Sequence, residues 1–358
     1  MPSVRNFLPG PTWVHPDVMA AMQEPMFAHY GPRMTPYLEE IQPALRAMLG
    51  TSRPVFGVTC SGTGLIESAV RNAVIERVLV VSGGFFGDYF ARIAERCGKQ
   101  VVKISVPLGR TLEADQLEQL LDGPAVDAVA LVHSESSTGA LAPLGDLARV
   151  VRQRSDAMLL VDAVSSAGGT PIEMDRLGID YVITGCQKAM ALPPGLAFGA
   201  VSERLAERAR TIEDAGYYFS VTRWVKMAAD HQLIETPALS IYLALHRQLR
   251  RIAAEGGWEA RWERHRRLAE MCHAWAAGQP AVRVLAPEGR RSPTVTALQL
   301  ADGLDAAAIA STLEADGFLL GKGITPEHGQ MLRIGHMGEV QPSDLEDLFA
   351  ALEPLLAR

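Results

Sequence analysis

The chain has 358 residues, of which 48% are hydrophobic and 21% charged, an ordinary mixture for a globular protein with one sizeable domain and a smaller one. Its net charge of −7 offers nucleic acids and anionic membranes no broad attraction, and no apolar run approaches the roughly 20 residues of a membrane helix. The N-terminus lacks a signal-peptide core, so we expect a cytoplasmic protein.

Segments with strand composition alternate with helical segments along the chain, which predicts an α/β fold with a mainly parallel sheet flanked by helices. The predicted strands are residues 55–59, 78–81, 100–105, 128–133, 158–161, 181–184 and 197–201. The predicted helices include residues 12–23, 35–49, 65–75, 88–97, 113–121, 144–154 and 203–211.

The C-terminal part predicts a second, smaller α/β unit. Residues 240–279 are mostly helical and rich in arginine, and the interleaved glutamates favour a solvated, salt-bridged helix. The arginines concerned are Arg261, Arg264, Arg266 and Arg267. Because Gly256 and Gly257 make a plausible junction, we predict an N-terminal arm (residues 1–17), a large domain (18–254) and a small domain (255–358).

The four cysteines predict neither a disulfide framework nor a metal site. They are Cys60, Cys97, Cys186 and Cys272, scattered without a CxxC pair or zinc spacing.

Lys188 lies in the turn after residues 181–184 and is the only cation between residues 180 and 195. Apolar surroundings lower the pKa of an ammonium group, so the amine can act as a nucleophile. Asp162 directly follows an apolar run, and a buried carboxylate there could pair with a pyridinium nitrogen. Each residue alone is more often a solvated loop residue or a helix cap, but together they suggest pyridoxal phosphate.

A turn of small residues, 60–64, separates a predicted strand from a predicted helix and forms a candidate anion site. Free backbone N–H groups at a helix start attract anions, and the hydroxyls of Ser61 and Thr63 can add hydrogen bonds. Gly62 permits close backbone approach. The turn matches neither GxGxxG nor GxxxxGK[ST], which argues against dinucleotides and nucleoside triphosphates.

Three longer motifs, residues 133–143, 160–169 and 185–195, make the chain resemble the class V aminotransferases, most closely the alanine:glyoxylate and serine:pyruvate branch. The similarity runs from residues 9–11 to residues 332–338. The resemblance implies fold type I, pyridoxal 5'-phosphate as cofactor, and ping-pong transfer of an amino group. The donor it implies is a small amino acid such as alanine or serine, and the acceptor is a 2-oxo acid, glyoxylate or pyruvate.

The resemblance also assigns chemistry to three residues. Lys188 would bond the cofactor aldehyde and then move the proton between the substrate Cα and the cofactor. Asp162 would pair with the pyridinium nitrogen and keep the ring protonated. Arg333 would clamp the substrate α-carboxylate with its bidentate guanidinium. Leu332 and Ile334 flank Arg333, and this alternation predicts a strand with Arg333 on the opposite face.

By the same resemblance, further residues bind the cofactor: Ser61, Gly62, Thr63, Phe86, Ser136, Gln187 and Thr236. The small-residue turn would hold the phosphate with Gln187 close by, and Ser136 would lie near the ring hydroxyl. Phe86 occupies the place of an aromatic ring that is often Trp in the family. Thr236 would reach the phosphate from the neighbouring subunit, which implies a homodimer with shared sites. Phe86 also suits a core position, and Ser136 and Thr236 suit turns or caps.

Alternatives remain open. An aspartate-preferring enzyme would need a second cation, for which Arg33 is a candidate. A lyase on the same fold is possible, but desulfurase relatives carry a late reactive cysteine and a histidine before the lysine. This chain has no cysteine after Cys272 and has Gln187 at the latter position. A non-catalytic cofactor-binding protein is disfavoured by the intact Lys188, Asp162 and Arg333.

Overall fold

The computed structural model describes residues 4–213, 215–325 and 329–357. Its largest element is a seven-stranded sheet in which only one strand runs against its neighbours. In spatial order the strands are β2 (Phe56–Val58), β10 (Ala197–Val201), β9 (Tyr181–Gly185), β8 (Met158–Asp162), β5 (Ala128–Val132), β3 (Arg77–Ser82) and β4 (Gln100–Ser105). The antiparallel strand is β10, whereas β9, β8, β5, β3 and β4 are mutually parallel. The predicted α/β fold with a mainly parallel sheet is confirmed.

Helices cover both faces of this sheet. They are α2 (Thr35–Leu49), α3 (Gly62–Ala73), α4 (Phe85–Arg96), α5 (Ala114–Leu121), α6 (Leu144–Arg154), α7 (Met174–Leu177), α8 (Glu203–Ala209), α9 (Val221–Ala229) and α10 (Leu239–Ala254), preceded by the short α1 (Pro16–Ala21). Successive residues of β5 enter different cores: Val129 and Leu131 pack in the cluster that contains α2 and α6, and Ala128 and Ala130 in the one that contains α3. Burial on both faces explains why the central strands are almost continuously apolar.

A smaller sheet contains both an N-terminal strand and C-terminal strands. Its order is β1 (Arg5–Phe7), β13 (Phe318–Lys322), β14 (Met331–Gly335), β12 (Val295–Leu300) and β11 (Val282–Val284). The helices α11 (Gly257–Ala277), α12 (Ala306–Ala315) and α13 (Pro342–Leu356) pack on it and bury a third core. A two-stranded hairpin, β6 (Ser134–Glu135) and β7 (Ala140–Leu141), follows β5. We propose the junction between α10 and α11 as the boundary of the small domain.

Two predictions from the sequence are wrong. The helix expected over residues 12–23 is reduced to α1, because Pro16 occupies its first turn and His15 caps it by accepting a hydrogen bond from the backbone N–H of Asp17. The sequence places Arg261 on a solvated helix face, yet its side chain is fully buried, whereas Arg266 on the same helix is exposed and paired with two glutamates. Among the described residues, no helix combines the length and apolarity needed to cross a bilayer.

Candidate active site

The carboxyl ends of β5, β8 and β9 open into a cavity of about 280 Å3. Ligands bind at this edge of parallel sheets, because loops diverge there. Seven residues predicted from the sequence line it: Ser61, Gly62, Thr63, Phe86, Asp162, Gln187 and Lys188. The other lining residues are Gly10, Pro11, Ile66, Tyr89, Val132, Ser134, Val164, Ser165 and Pro194.

Lys188 is buried in the loop after β9, with 8% of its surface exposed. Its amine donates a hydrogen bond to the carbonyl oxygen of Pro9. Burial, followed by the positive charge of Arg333, lowers the pKa of Lys188 to about 8, although Asp162 and Glu135 act in the opposite direction. A far larger fraction of this amine than of an ordinary lysine is therefore neutral near pH 8 and available as a base or nucleophile.

Asp162 ends β8 and is buried at the base of the same cavity. Its Oδ1 accepts a hydrogen bond from the backbone N–H of Val164 at 2.8 Å. Burial raises the pKa of Asp162 to about 6, and the nearby Glu135 adds to this effect, while Val164 and Lys188 oppose it. A carboxylate with so little solvation gains from a cationic partner, which a protonated ring nitrogen would be.

The N-terminus of α3 forms another part of the cavity lining. Ser61 is the N-cap in an extended conformation, and its side chain makes no capping hydrogen bond, so the hydroxyl stays available to a ligand. A Cβ at position 62 would lie 2.7 Å from Cγ2 of Val164, so the backbone passes closer to its neighbour than any larger residue allows. The helix dipole and the first N–H groups of this 12-residue helix favour an anion here.

A buried glutamate that the sequence analysis did not single out holds the start of α4. Oε2 of Glu135 accepts hydrogen bonds from the backbone N–H groups of Phe86 and Gly87 at 3.0 and 3.1 Å, and Ser137 donates to Oε1. The Phe86 ring centroid lies 6.0 Å from Nζ of Lys188. The signal for Glu135 was a carboxylate three residues after the buried strand β5, a weaker form of the signal that identified Asp162.

Arg333 and Ser136 contact each other beside the cavity rather than lining it. The guanidinium donates to the carbonyl oxygens of Lys322 at 2.8 Å and Ser136 at 3.1 Å. Burial lowers the pKa of the half-buried Arg333 to about 10, which leaves it charged at neutral pH. The predicted alternation is confirmed, since Leu332 and Ile334 are buried in the small-domain core. The hydroxyl of Ser136 is buried without a hydrogen-bond partner within the described part of the chain.

Thr236 is exposed and does not line the Lys188 cavity of its own chain. It lines a separate surface groove of about 520 Å3 together with the loop of His29, Tyr30 and Gly31. Arg33, in the same loop, is exposed, and its guanidinium lies 4.1 Å from the Phe27 ring centroid.

The N-terminal arm closes the cavity over Lys188. The backbone N–H of Thr12 donates to the carbonyl oxygen of Gln187 at 3.1 Å, and its hydroxyl donates to that of Lys188 at 3.0 Å. Gly10 has a φ of +103°, and a Cβ there would lie 2.5 Å from Cδ of Lys188. A side chain at position 10 would therefore occupy the space of the lysine.

Comparisons with known proteins agree with this geometry. The family model of class V aminotransferases matches residues 12–337. An L-aspartate–glyoxylate aminotransferase from Paracoccus denitrificans is 30% identical, with 98% of this chain and 90% of the relative aligned. A protein of Synechococcus sp. named soluble hydrogenase, small subunit, is 32% identical over 98% of this chain and 92% of its own.

A solved structure extends the agreement to three dimensions. The alanine–glyoxylate aminotransferase from Nostoc sp. superposes with a TM-score of 0.93 at 31% identity, covering 99% of this chain and 96% of that protein. The fold is thus the fold type I arrangement predicted from the sequence. Since the family model spans nearly the whole chain and cavity, the chain belongs to the class V aminotransferases.

Proposed function

We propose that this aminotransferase uses pyridoxal 5'-phosphate to move an amino group from a small amino acid, such as alanine or serine, to glyoxylate or pyruvate. The observation that carries the proposal is the pairing of a buried amine, Lys188, with a buried carboxylate, Asp162, in one cavity that faces the N-terminus of α3.

The residues present fit this cofactor at each of its chemical groups. The uncapped start of α3, with Ser61, Gly62 and Thr63, suits the phosphate, and Gln187 lines the cavity beside it. Asp162, which gains from a cation, suits the ring nitrogen. Phe86 offers an aromatic face near Lys188. When bound, pyridoxal phosphate supplies an aldehyde that an amine can bond and a ring that takes up electrons released at the substrate Cα.

In this proposal the side chains of the protein bind the substrate carboxylate and transfer one proton. Lys188, whose pKa is about 8, takes the proton from the Cα of the amino donor in the first half of the reaction. In the second half it gives a proton to the Cα of the acceptor. Arg333 binds the α-carboxylate and so orients the Cα–H bond toward Lys188. The acceptor 2-oxo acid then uses the same residues in the reverse order, which is the ping-pong scheme.

The charges around the cavity favour a substrate with one carboxylate. Among the described residues that line the cavity the cation is Lys188, and Arg333 lies beside the cavity. The Arg333 guanidinium can bind one carboxylate. This supports an alanine-type donor, as in the name of the Nostoc protein. An aspartate donor, as in the name of the Paracoccus protein, requires a further cation, and Arg33 lies outside the cavity of its own chain.

We further propose that two copies share their sites. Thr236 and the loop that carries Arg33 line one surface groove away from their own Lys188. Two large exposed hydrophobic residues, Met26 and Tyr30, lie in or beside this loop at 61% and 70% exposure. Exposed apolar residues next to polar ones are typical of a protein interface, and a second copy could use Thr236 at its phosphate.

The visible absorption of the purified protein with bound cofactor tests this function. We expect a single small amino acid, alanine or serine, to change the spectrum and to yield its 2-oxo acid, and glyoxylate or pyruvate to restore it. Aspartate should be slow. A product of elimination instead of a 2-oxo acid would favour the lyase alternative. Failure of the protein to take up the cofactor at all would refute the proposal.

A further inference from the structure

The loop after Lys188 is held from behind by side chains that do not enter the cavity. The carbonyl oxygen of Ala189 accepts hydrogen bonds from Nε and Nη2 of Arg261 at 3.1 and 2.8 Å. The next carbonyl oxygen, of Met190, accepts from Nε2 of Gln248 at 3.0 Å. Ala191 has a φ of +53°, so the loop is not helical and these carbonyl groups need partners from elsewhere.

One carboxylate holds both donors. Oε1 of Glu339 lies 3.0 Å from Nη2 of Arg261 and accepts from Nε2 of Gln248 at 2.7 Å. Burial alone would raise the pKa of Glu339, but Arg261, Gln248 and Arg264 hold it at about 2. The carboxylate is therefore charged at neutral pH and can hold the guanidinium in place.

A buried ion pair loses the solvation free energy of two charged groups when the protein folds. Arg261 is fully buried on α11, and hydrophobic residues of similar volume commonly stabilise a core as well as or better than a buried ion pair. What an apolar residue cannot provide is a planar fork that reaches the Ala189 carbonyl and Glu339 together. The fork thus connects a small-domain carboxylate to the residue next to Lys188.

We propose that Arg261, held by Glu339, is a positioning residue that aims the amine of Lys188 into the cavity, with Gln248 supporting the same loop. This inference rests on the proposed function, since it assumes that Lys188 moves the proton. Arg261 and Gln248 fix the two peptide units after Lys188, and Thr12 fixes its own carbonyl. An error of about 1 Å in the position of a reacting group can cost about 100-fold in rate.

Two variants test the contact, with one matched control. Arg261→Lys keeps the charge beside Glu339 but loses the fork, and Gln248→Met removes a donor without changing charge and with little change in volume. Arg266→Gln is the control, because Arg266 lies on the same helix with its side chain 56% exposed. If Arg261→Lys fails to fold, Gln248→Met carries the test alone.

The first readout needs no catalysis. In the cofactor-free protein we expect amide hydrogen exchange within residues 186–196 to accelerate about tenfold in Arg261→Lys and by a smaller factor in Gln248→Met, because local opening becomes easier. Exchange in the central strands of the large sheet should be unchanged, and the control should match the wild type. Unchanged exchange of residues 186–196 in both variants would overturn the inference.

The second readout asks whether Arg261 acts through Lys188. We expect kcat of the holoenzyme to fall about tenfold in Arg261→Lys, with the KM for the amino donor within about twofold, as for a lost transition-state interaction. In Lys188→Ala supplied with a small primary amine, the same substitution should have no further effect. An equal loss in both backgrounds would show a general effect on the fold and overturn the inference. If Lys188→Ala retained full activity without added amine, the proposed role of Lys188 would fail instead.

Discussion

The amine of Lys188 donates its hydrogen bond to the backbone carbonyl oxygen of Pro9, a neutral group in the N-terminal arm. Neither Asp162 nor Glu135 is in hydrogen-bond contact with the amine in the described structure, although both act on it electrostatically. Burial is therefore only partly compensated, and together with the positive charge of Arg333 this is why the pKa of Lys188 lies well below that of an ordinary lysine.

Replacing Lys188 by methionine should stabilise the cofactor-free protein. The pKa of Lys188 falls from its ordinary 10.5 to about 8, which corresponds to roughly 3 kcal/mol against the buried ammonium. Since the folded-state pKa is the lower one, this penalty is complete below pH 8 and vanishes as the pH rises through 10.5. Allowing for the lost hydrogen bond, we expect a gain of about 2 kcal/mol in urea unfolding at pH 7 and little gain at pH 10. An equal gain in stability at pH 7 and pH 10 would contradict the lowered pKa of Lys188.

Gly10→Ala should disable the site without unfolding the protein. The added Cβ would lie 2.5 Å from Cδ and 2.8 Å from Nζ of Lys188, so the amine must move. We expect a loss of turnover of at least about tenfold, measured with the donor that proves best. Gly303→Ala is the matched control, because Gly303 has a φ of +92° and a Cβ added there would meet no described atom within 4 Å. It shares the backbone strain but not the collision, and comparable losses in the two variants would rule out the collision as the cause.

Asp162→Asn should weaken cofactor binding by about tenfold to 100-fold, because a hydrogen bond to a charged partner is lost. Burial raises the pKa of Asp162 to about 6 in the protein alone. Below that pH the carboxyl group is protonated and cannot pair with a cationic ring nitrogen, so wild-type affinity should fall as the pH falls through about 6. Equilibrium titration at several pH values checks this, and the variant should lack the step. A step of the same size in the variant would assign it to another group.

Thr236 should act on the site of the other copy. Thr236→Val removes one hydroxyl donor and should weaken cofactor affinity by about twofold to tenfold. A doubly tagged heterodimer tests this, with one chain carrying Thr236→Val and the other carrying Lys188→Ala. The one intact Lys188 then lies on the chain that lacks Thr236, and the one intact Thr236 lies on its partner. Wild-type affinity at that lysine, measured by absorption, is expected if Thr236 serves the partner. Weakened affinity there would place its action within one chain.

The residues that the sequence revealed and those it concealed differ in how they come to be buried. Asp162 and Lys188 adjoin strand segments whose apolar composition already indicates burial. Arg261 lies among exposed glutamates on a long helix, and although its helical spacing from Trp258 and Leu268 indicates the buried face, nothing local shows what a buried guanidinium would bind. Its burial depends on Glu339 and on the Lys188 loop, both remote in sequence. Long-range partners of this kind leave no pattern in a single chain.

The overestimated helix at residues 12–23 has a similar origin. Its composition permits a helix, but Thr12 is committed to the carbonyl groups of Gln187 and Lys188, and Pro16 determines where the helix can begin. The tertiary contacts of Thr12, together with Pro16, thus determine where the helix begins. The strand β1 was missed because three residues carry too little periodicity to be recognised.

The pairing of β1 with β13 sets an order in which the enzyme can be completed during synthesis. All strands of the large sheet lie between Phe56 and Val201, so the phosphate and ring subsites can form while later residues are still on the ribosome. Arg5 pairs with Phe318, and β1 therefore stays unpaired until nearly the whole chain has been made. The nascent protein should acquire affinity for its cofactor well before it acquires the carboxylate clamp of Arg333, so that catalysis begins only with the last strands.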